Sequence, residues 1–226
     1  MPTKSGLQVT ISSQRLAETS HHAAVMQIQT TEQLRRLYGE PAERVLLKEL
    51  SYIDHHIERF ISLSPFLVMA SGDTQQQMDA SPRGGAPGFV KILDQHTLLI
   101  PDAPGNKRLD TLQNILSTQQ VGLLFFLPGV DEMVRINGKA SLETDEHLLA
   151  RFESMQRKAA LVIKVTVQSA YMHCAKAAMR SKLWDQESQQ HRSVLPAMGE
   201  IIKDHARLEG PAETQEAMLR RYEDEL

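Results

Sequence analysis

Val121-Gly-Leu-Leu-Phe-Phe-Leu-Pro-Gly-Val-Asp-Glu-Met-Val-Arg-Ile-Asn-Gly-Lys-Ala140 reads as two strands and the connection between them. Residues 121–127 form an apolar run rich in aromatic and branched side chains, whereas 134–140 alternate apolar with polar residues. Pro128-Gly129-Val-Asp-Glu between them predicts a hairpin loop of several residues. Gly122 and Gly138 fall inside these strands, where glycine marks a bulge or a close approach of another backbone or ligand. Working outward, residues 65–70, 88–93, 96–100 and 160–168 have the same strand character, and Asp94-Gln-His predicts a tight hairpin. Six strands with short connections and a single helix after the third predict an antiparallel sheet, closed or half closed into a barrel. A parallel sheet would need a helix between successive strands.

Helical periodicity flanks this sheet. A helix capped at Thr31 ends at Gly39, and a second runs over 41–61 with Val45, Leu46, Leu50, Ile53, Ile57 and Phe60 as its stripe. Residues 144–155 predict a helix capped by Thr144, with Leu148, Leu149 and Phe152 packing inward. Residues 196–208 and 212–222, separated by Gly210-Pro211, predict two terminal helices, and Met198, Ile201 and Ile202 give the first an apolar patch. The organisation expected is a loose arm over 1–29, a central domain over 30–185 and a helical extension over 186–226.

Composition limits the function. Lys plus Arg total 25 against 28 Asp plus Glu, a net charge of −3, so a dedicated nucleic-acid binder or membrane-surface protein is not expected. Cys174 is the only cysteine, which excludes an intrachain disulfide and a cysteine metal cluster and fits a reducing cytosol. No run approaches the roughly 20 apolar residues of a membrane span, and Ala23-Ala-Val-Met26 is too short for a signal core. A soluble, cytoplasmic protein is expected.

Two polar knots carry the functional signal. Asp79-Ala-Ser-Pro-Arg-Gly-Gly-Ala-Pro-Gly88 and Pro104-Gly-Asn-Lys-Arg108 each lead into ordered chain, and together they suggest two jaws of one anion site. After the second knot, Leu109, Leu112, Ile115 and Leu116 share one helical face, making Asn106 the expected N-cap and placing Lys107 and Arg108 in the first turn. Free N–H groups there would hold a phosphate, which would explain two cations that otherwise oppose the helix dipole. A solvated basic turn is the alternative.

Other groupings promise less. His21-His22 and His55-His56 invite a metal, but neighbours on a helix point about 100° apart and do not chelate one ion easily, so no metal is expected. His173-Cys174 resembles a redox or ligand pair, although a lone cysteine after an apolar strand is expected to be a small core residue. Walker, Gly-x-Gly-x-x-Gly and serine-elbow motifs are absent, which removes support for nucleotide hydrolysis and serine-hydrolase chemistry.

The order of elements, with Ser81 to Val90 as SPRG-x-x-PGFV, Pro104 to Leu116 as PGN-x-R-x-D-x-x-x-NIL and His173 to Trp184 as HC-x-KA-x-x-RS-x-LW, resembles the pyridoxamine 5'-phosphate oxidase-like, FMN-binding split-barrel family, and within it a bacterial subgroup. The resemblance covers roughly residues 30–185. It implies a mainly β fold with flanking helices (α+β), an antiparallel split β-barrel, and a homodimer holding two FMN molecules between its subunits. It implies that Arg83, Asn106, Lys107 and Arg108 surround the FMN phosphate, with Ser81 adding a hydroxyl. Asn114 would face the flavin or simply cap its helix. Arg135 would meet the flavin or the partner, or be an exposed sheet arginine; Lys176 and Arg180 would supply a second basic stripe or a solvated face. Trp184 would edge the isoalloxazine or pack as core. The parent oxidases end on an arginine-histidine substrate motif, whereas His191-Arg192 is reversed and lies in a polar linker, so pyridoxamine phosphate is not the expected substrate. The activity implied is FMN-dependent oxidoreduction of a small molecule, with no named protein acid or base. The alternatives are flavin or haem binding without turnover, and a deazaflavin-dependent reductase.

Overall fold

The computed structural model describes residues 27–223. The expected arm, including His21-His22, falls largely outside them. The chain divides into two units, residues 1–41 and 42–226. Within the first, α1 (Thr31–Tyr38) is capped by Thr30 rather than Thr31: Thr30 Oγ1 accepts from Gln33 N–H, and Gln33 Oε1 accepts from the Thr30 N–H. This reciprocal capping box satisfies two otherwise free donors, and Gly39, at φ 75°, ends the helix.

The second unit is built on one seven-stranded antiparallel sheet, ordered β2-β1-β5-β6-β7-β4-β3. Its strands are β1 (Phe66–Gly72), β2 (Met78–Gly84), β3 (Lys91–Asp94), β4 (Thr97–Asp102), β5 (Gln120–Leu127), β6 (Val130–Glu143) and β7 (Leu161–His173). Six strands were expected and each predicted run overlaps one, although residues 88–90 precede β3 rather than belong to it. The strand not anticipated is β2, formed by the first polar knot itself. Pro82 and Gly84 argue against a strand, but β2 lies at the sheet edge, where a missing N–H costs no ladder bond.

The hairpin between β5 and β6 is tighter than predicted. Leu127 pairs with Val130, so only Pro128 and Gly129 form the turn, proline fixing one φ and Gly129 supplying the left-handed one at 84°. The predicted bulge at Gly138 is present as a register shift between Asn137 and Gly138, and a Cβ on Gly138 would run into the Thr166 carbonyl oxygen.

The single helix expected over 41–61 is two. After α2 (Glu43–Leu47) the chain unwinds, because Leu50 exchanges both backbone hydrogen bonds with Ala170 of β7, at 2.9 and 2.7 Å. Strand-like pairing thereby overrides the helical stripe and leaves Val45 and Leu46 exposed. Asp54 then caps α3 (His55–Leu63), its Oδ1 accepting from Ile57 N–H at 2.9 Å. Ile57, Phe60 and Ile61 of α3 pack on Leu67, Met69, Leu123, Phe125, Val134, Ile136 and Ile163 to form the main core. A smaller cluster on the other face of β4 joins Leu99 and Val162 to Phe152. Phe152 follows α5 (Glu146–Leu149), which is capped by Asp145 rather than Thr144.

Helix α4 (Asp110–Thr118) turns a different face inward from the predicted one. Thr111 and Ile115 are buried, whereas Leu109 and Leu116 are 51% and 73% exposed. Polar tethers fix this rotation: Thr111 Oγ1 donates to Asp79 Oδ2 at 2.6 Å, Asn114 Nδ2 to Ser71 Oγ at 3.0 Å and Thr118 Oγ1 to Gly72 O at 2.9 Å. These bonds hold α4 to β1 and β2. Beyond β7 come α6 (Lys176–Ser181) and the terminal pair α7 (Met198–Ala206) and α8 (Gln215–Glu223), where Gly199 lies against the Glu213 backbone and Met218 is buried. The expected patch contributes little to this contact, for Met198 and Ile202 remain exposed. Among the described residues no helix is long and apolar enough to cross a membrane.

Gly138→Ala should lower stability by about 1–3 kcal/mol, the usual cost of forcing atoms into a packed site. Gly105→Ala, where a Cβ meets open space, should stay within about 0.5 kcal/mol of the parent. Thermal unfolding of both variants checks this; equal melting temperatures would show that the bulge needs no glycine.

Candidate functional site

The two polar knots, separate in sequence, line one cavity of about 1100 Å³. That is slightly above the roughly 300–1,000 Å³ typical of small-molecule sites. One wall is β2 and the turn after it. Asp79, Ser81 and Arg83 alternate with exposed Ala80 and Pro82, so the period of the strand turns all three onto the cavity side. Gly88, at φ 76°, closes the turn with Ser62 O only 3.1 Å from where a Cβ would stand. The facing wall is the end of β4, with Asp102, and the chain leading to α4.

That second turn differs from expectation. Asn106 does not cap α4; its Oδ1 accepts from Arg108 N–H at 3.1 Å, and the N-cap position is Leu109, in the left-handed region at φ 62°. Lys107 is also left-handed, at φ 61°. The basic pair therefore sits in a loop before the helix and not in its first turn. Lys107 and Arg108 are exposed, and Arg108 Nε donates to Asp110 Oδ2 at 2.8 Å. The loop still lines the cavity that Arg83 enters.

Arg83 is the most constrained of these groups. Its side chain is 17% exposed, Nη1 donates to Ser81 Oγ and to Pro82 O, and Nη2 lies 3.5 Å from Asp102 Oδ2. Its Nε is the one buried side-chain polar atom among the described residues with no hydrogen-bond partner. A buried donor left unmade costs on the order of 1–3 kcal/mol, so the geometry favours an incoming acceptor. Burial pushes the Asp102 carboxyl above its ordinary range, and the Arg83 charge offsets this only in part.

A third wall was not legible in the sequence. Arg151 and Arg157, from the turn after α5 and the chain beyond it, line the same cavity, as does Lys91 at the start of β3. Six cationic side chains (Arg83, Lys91, Lys107, Arg108, Arg151 and Arg157) thus face three acidic ones (Asp79, Asp102 and Asp110) in a chain whose net charge is −3. No local motif announces the added cations; Lys91 follows the first knot directly, whereas the return of the chain through β6 brings Arg151 and Arg157 here.

The remaining sequence candidates lie elsewhere in this chain. Asn114 is inside α4, bonded to Ser71, and borders a smaller depression shared with Arg108. Arg135 of β6 is exposed on the sheet, where Nη1 donates to Tyr171 Oη at 3.1 Å; Lys48 Nζ lies 5.1 Å from the centre of the same ring. His173 also packs on Tyr171, and burial, then Arg135 and Lys48, hold its imidazole below the usual histidine range. Lys176 and Arg180 are exposed on α6, and Trp184 Nε1 donates to Val130 O at 2.9 Å, bracing the β5–β6 hairpin. Asn114, Arg135, Lys176, Arg180 and Trp184 are all absent from the lining of the cavity. Cys174 is exposed rather than a core residue. The His55 and His56 rings are 3.8 Å apart, closer than helical geometry suggested, and their ligand atoms and that of Asp54 lie within 4.8 Å, although Asp54 is engaged as a cap. His191 and Arg192 serve local structure, with Arg192 donating to Leu195 O and Pro196 O at 3.0 Å each.

No curated protein matches the chain. Among solved structures, a HupZ variant from Group A Streptococcus is 15% identical and matches 54% of this chain and 99% of its own at a TM-score of 0.46. A candidate pyridoxamine 5'-phosphate oxidase from Lactobacillus delbrueckii is 16% identical, with 55% and 98% covered and a TM-score of 0.44. An FMN-binding protein from Syntrophomonas wolfei is 12% identical, with 63% and 96% covered and a TM-score of 0.40. The model of one family, described as pyridoxamine 5'-phosphate oxidase, matches residues 53–174, more than half of the chain and every strand of the sheet. With its antiparallel sheet, flanking helices and this match, the chain belongs to the pyridoxamine 5'-phosphate oxidase-like split-barrel family.

Proposed function

We propose that the protein is an FMN-dependent oxidoreductase acting on a small molecule, and that the cavity between β2 and the loop before α4 holds the FMN phosphate. The observation that carries this is the buried, unpartnered Nε of Arg83 inside a cavity lined by six cations and three acids. A phosphate monoester supplies several acceptors to one guanidinium edge, the match for which arginine is suited. Ser81 holds the guanidinium in place by accepting from Nη1, while Lys107 and Arg108 add charge from the exposed rim. When bound, FMN supplies hydride and electron transfer, and the chain supplies anchorage, orientation and exclusion of water.

A homodimer belongs to the same proposal. Phe66 and Phe126, with ring centroids 5.9 Å apart, and the paired Val68 and Leu124 form a partly exposed apolar stripe across β1 and β5. A second copy covering it would remove that surface from water. The setting proposed is the cytoplasm, where the single exposed thiol of Cys174 would stay reduced.

Purified protein, or protein given FMN, should show flavin absorption with about one FMN per chain and should be reduced anaerobically by NADH or NADPH. Bound flavin that stays oxidised would point to storage, and mass spectrometry of the released ligand distinguishes FMN from a deazaflavin or haem. Arg83→Lys, which loses the planar fork, should weaken FMN by about 1.5–3 kcal/mol while leaving riboflavin, which has no phosphate, unaffected. Equal loss for both ligands would place the phosphate elsewhere. Light scattering should give twice the 25.4 kDa chain mass, and a monomer at working concentration would remove the dimer.

A further inference from the structure

The side edge of a guanidinium is formed by Nε and Nη2, two parallel donors that together grip an oxyanion. In Arg83 this edge is half engaged. Nη1 is bonded to Ser81 Oγ and Pro82 O, while Nη2 stands 3.5 Å from Asp102 Oδ2, longer than the ~2.7–2.9 Å of a strong charged bond. Nε has no partner at all. Both side chains are mostly out of solvent, at 17% and 19% exposure, and both line the cavity. An oxyanion that takes the whole edge must therefore lie against the Asp102 carboxylate, and two anions in contact at a poorly solvated site do not both keep their charge.

We propose that this cavity binds its oxyanion together with a proton: the anion occupies the Nε and Nη2 edge of Arg83, and the Asp102 carboxylate takes a proton from solvent and donates it as a hydrogen bond to the anion. The inference rests on the anion-binding reading of the cavity and adds its regulation by pH. The neighbours of Asp102 leave it as the acceptor of that proton. Asp79 accepts from Thr111 Oγ1 at 2.6 Å and Asp110 from Arg108 Nε at 2.8 Å, so both carboxylates already have hydrogen-bond donors of their own. Lys91, Lys107, Arg151 and Arg157 face the cavity as cations, and no histidine is among its lining residues. Burial already raises the Asp102 carboxyl, and a bound anion raises it further. The bound state then carries more protons than the free state, and by linkage affinity strengthens as pH falls through the window above the free Asp102 pKa.

Sulfate is the direct probe, since it stays a dianion across the working pH range. Calorimetric titration of the full chain with sulfate, in two buffers of different ionisation enthalpy, counts the protons taken up. The expected result is net uptake on binding and an affinity that falls with rising pH, by at most about tenfold per unit for one linked proton. Asp102→Asn should bind sulfate more tightly near neutrality, without pH dependence and without uptake; Asp79→Asn should keep the uptake. Sulfate binding with no proton uptake by the unaltered chain overturns the proposal without any variant, as does absence of sulfate binding, and so does uptake that persists in Asp102→Asn. Uptake with sulfate but no affinity for FMN leaves this inference standing and removes the flavin, whereas FMN binding without linked sulfate uptake does the reverse.

Discussion

The candidate site depends on the way one guanidinium is held. Arg83 is aimed by the register of β2 on β1, which pairs Arg83 with Leu67 and Ser81 with Met69. Because Leu67 and Met69 are fully buried core residues, the strand cannot slip by one position without turning Asp79, Ser81 and Arg83 to the outside. The hydrophobic core thus sets the position of a polar side chain. The bond from Thr111 to Asp79 then ties α4 to the same strand, so both walls of the cavity are referenced to one edge of the sheet.

Charge is distributed to match. A chain with more acidic than basic residues gathers six cations around a single cavity, drawn from β2, β3, the loop before α4 and the chain after α5. The exposed members are screened by salt and contribute mainly to attraction at a distance. Arg83, less exposed and paired imperfectly with Asp102, is where desolvation makes a hydrogen bond count. The same division separates the cavity from the Arg135, Lys48 and Tyr171 group on the sheet, where the cations rest on an aromatic face and remain more open to water.

Much of this was legible in the sequence for physical reasons. Strong alternation and aromatic content located β5, β6 and β7, and Gly138 marked a real bulge. The two knots line one cavity, and both combine glycine with cations. β2 was missed since Pro82 and Gly84 read as turn residues and its inward face is polar, so no hydrophobic period marks it. Asn106 was assigned as a helix cap, but left-handed Lys107 and Leu109 delay the helix and turn Thr111, not Leu109 and Leu116, to the interior. Lys91, Arg151 and Arg157 carry no local signature, and only tertiary structure brings them together. The break before α3 likewise comes from pairing of Leu50 with Ala170, which are 120 positions apart.

The central claim is that the Arg83 Nε–H meets the phosphate of the bound cofactor. The measurement that tests it most directly is the ¹⁵N spectrum of arginine Nε–H groups during addition of FMN, with the Arg83 signal assigned by its loss in Arg83→Lys. This signal should move on FMN addition and stay put on riboflavin addition. A resonance that stays unmoved while FMN binds would contradict it.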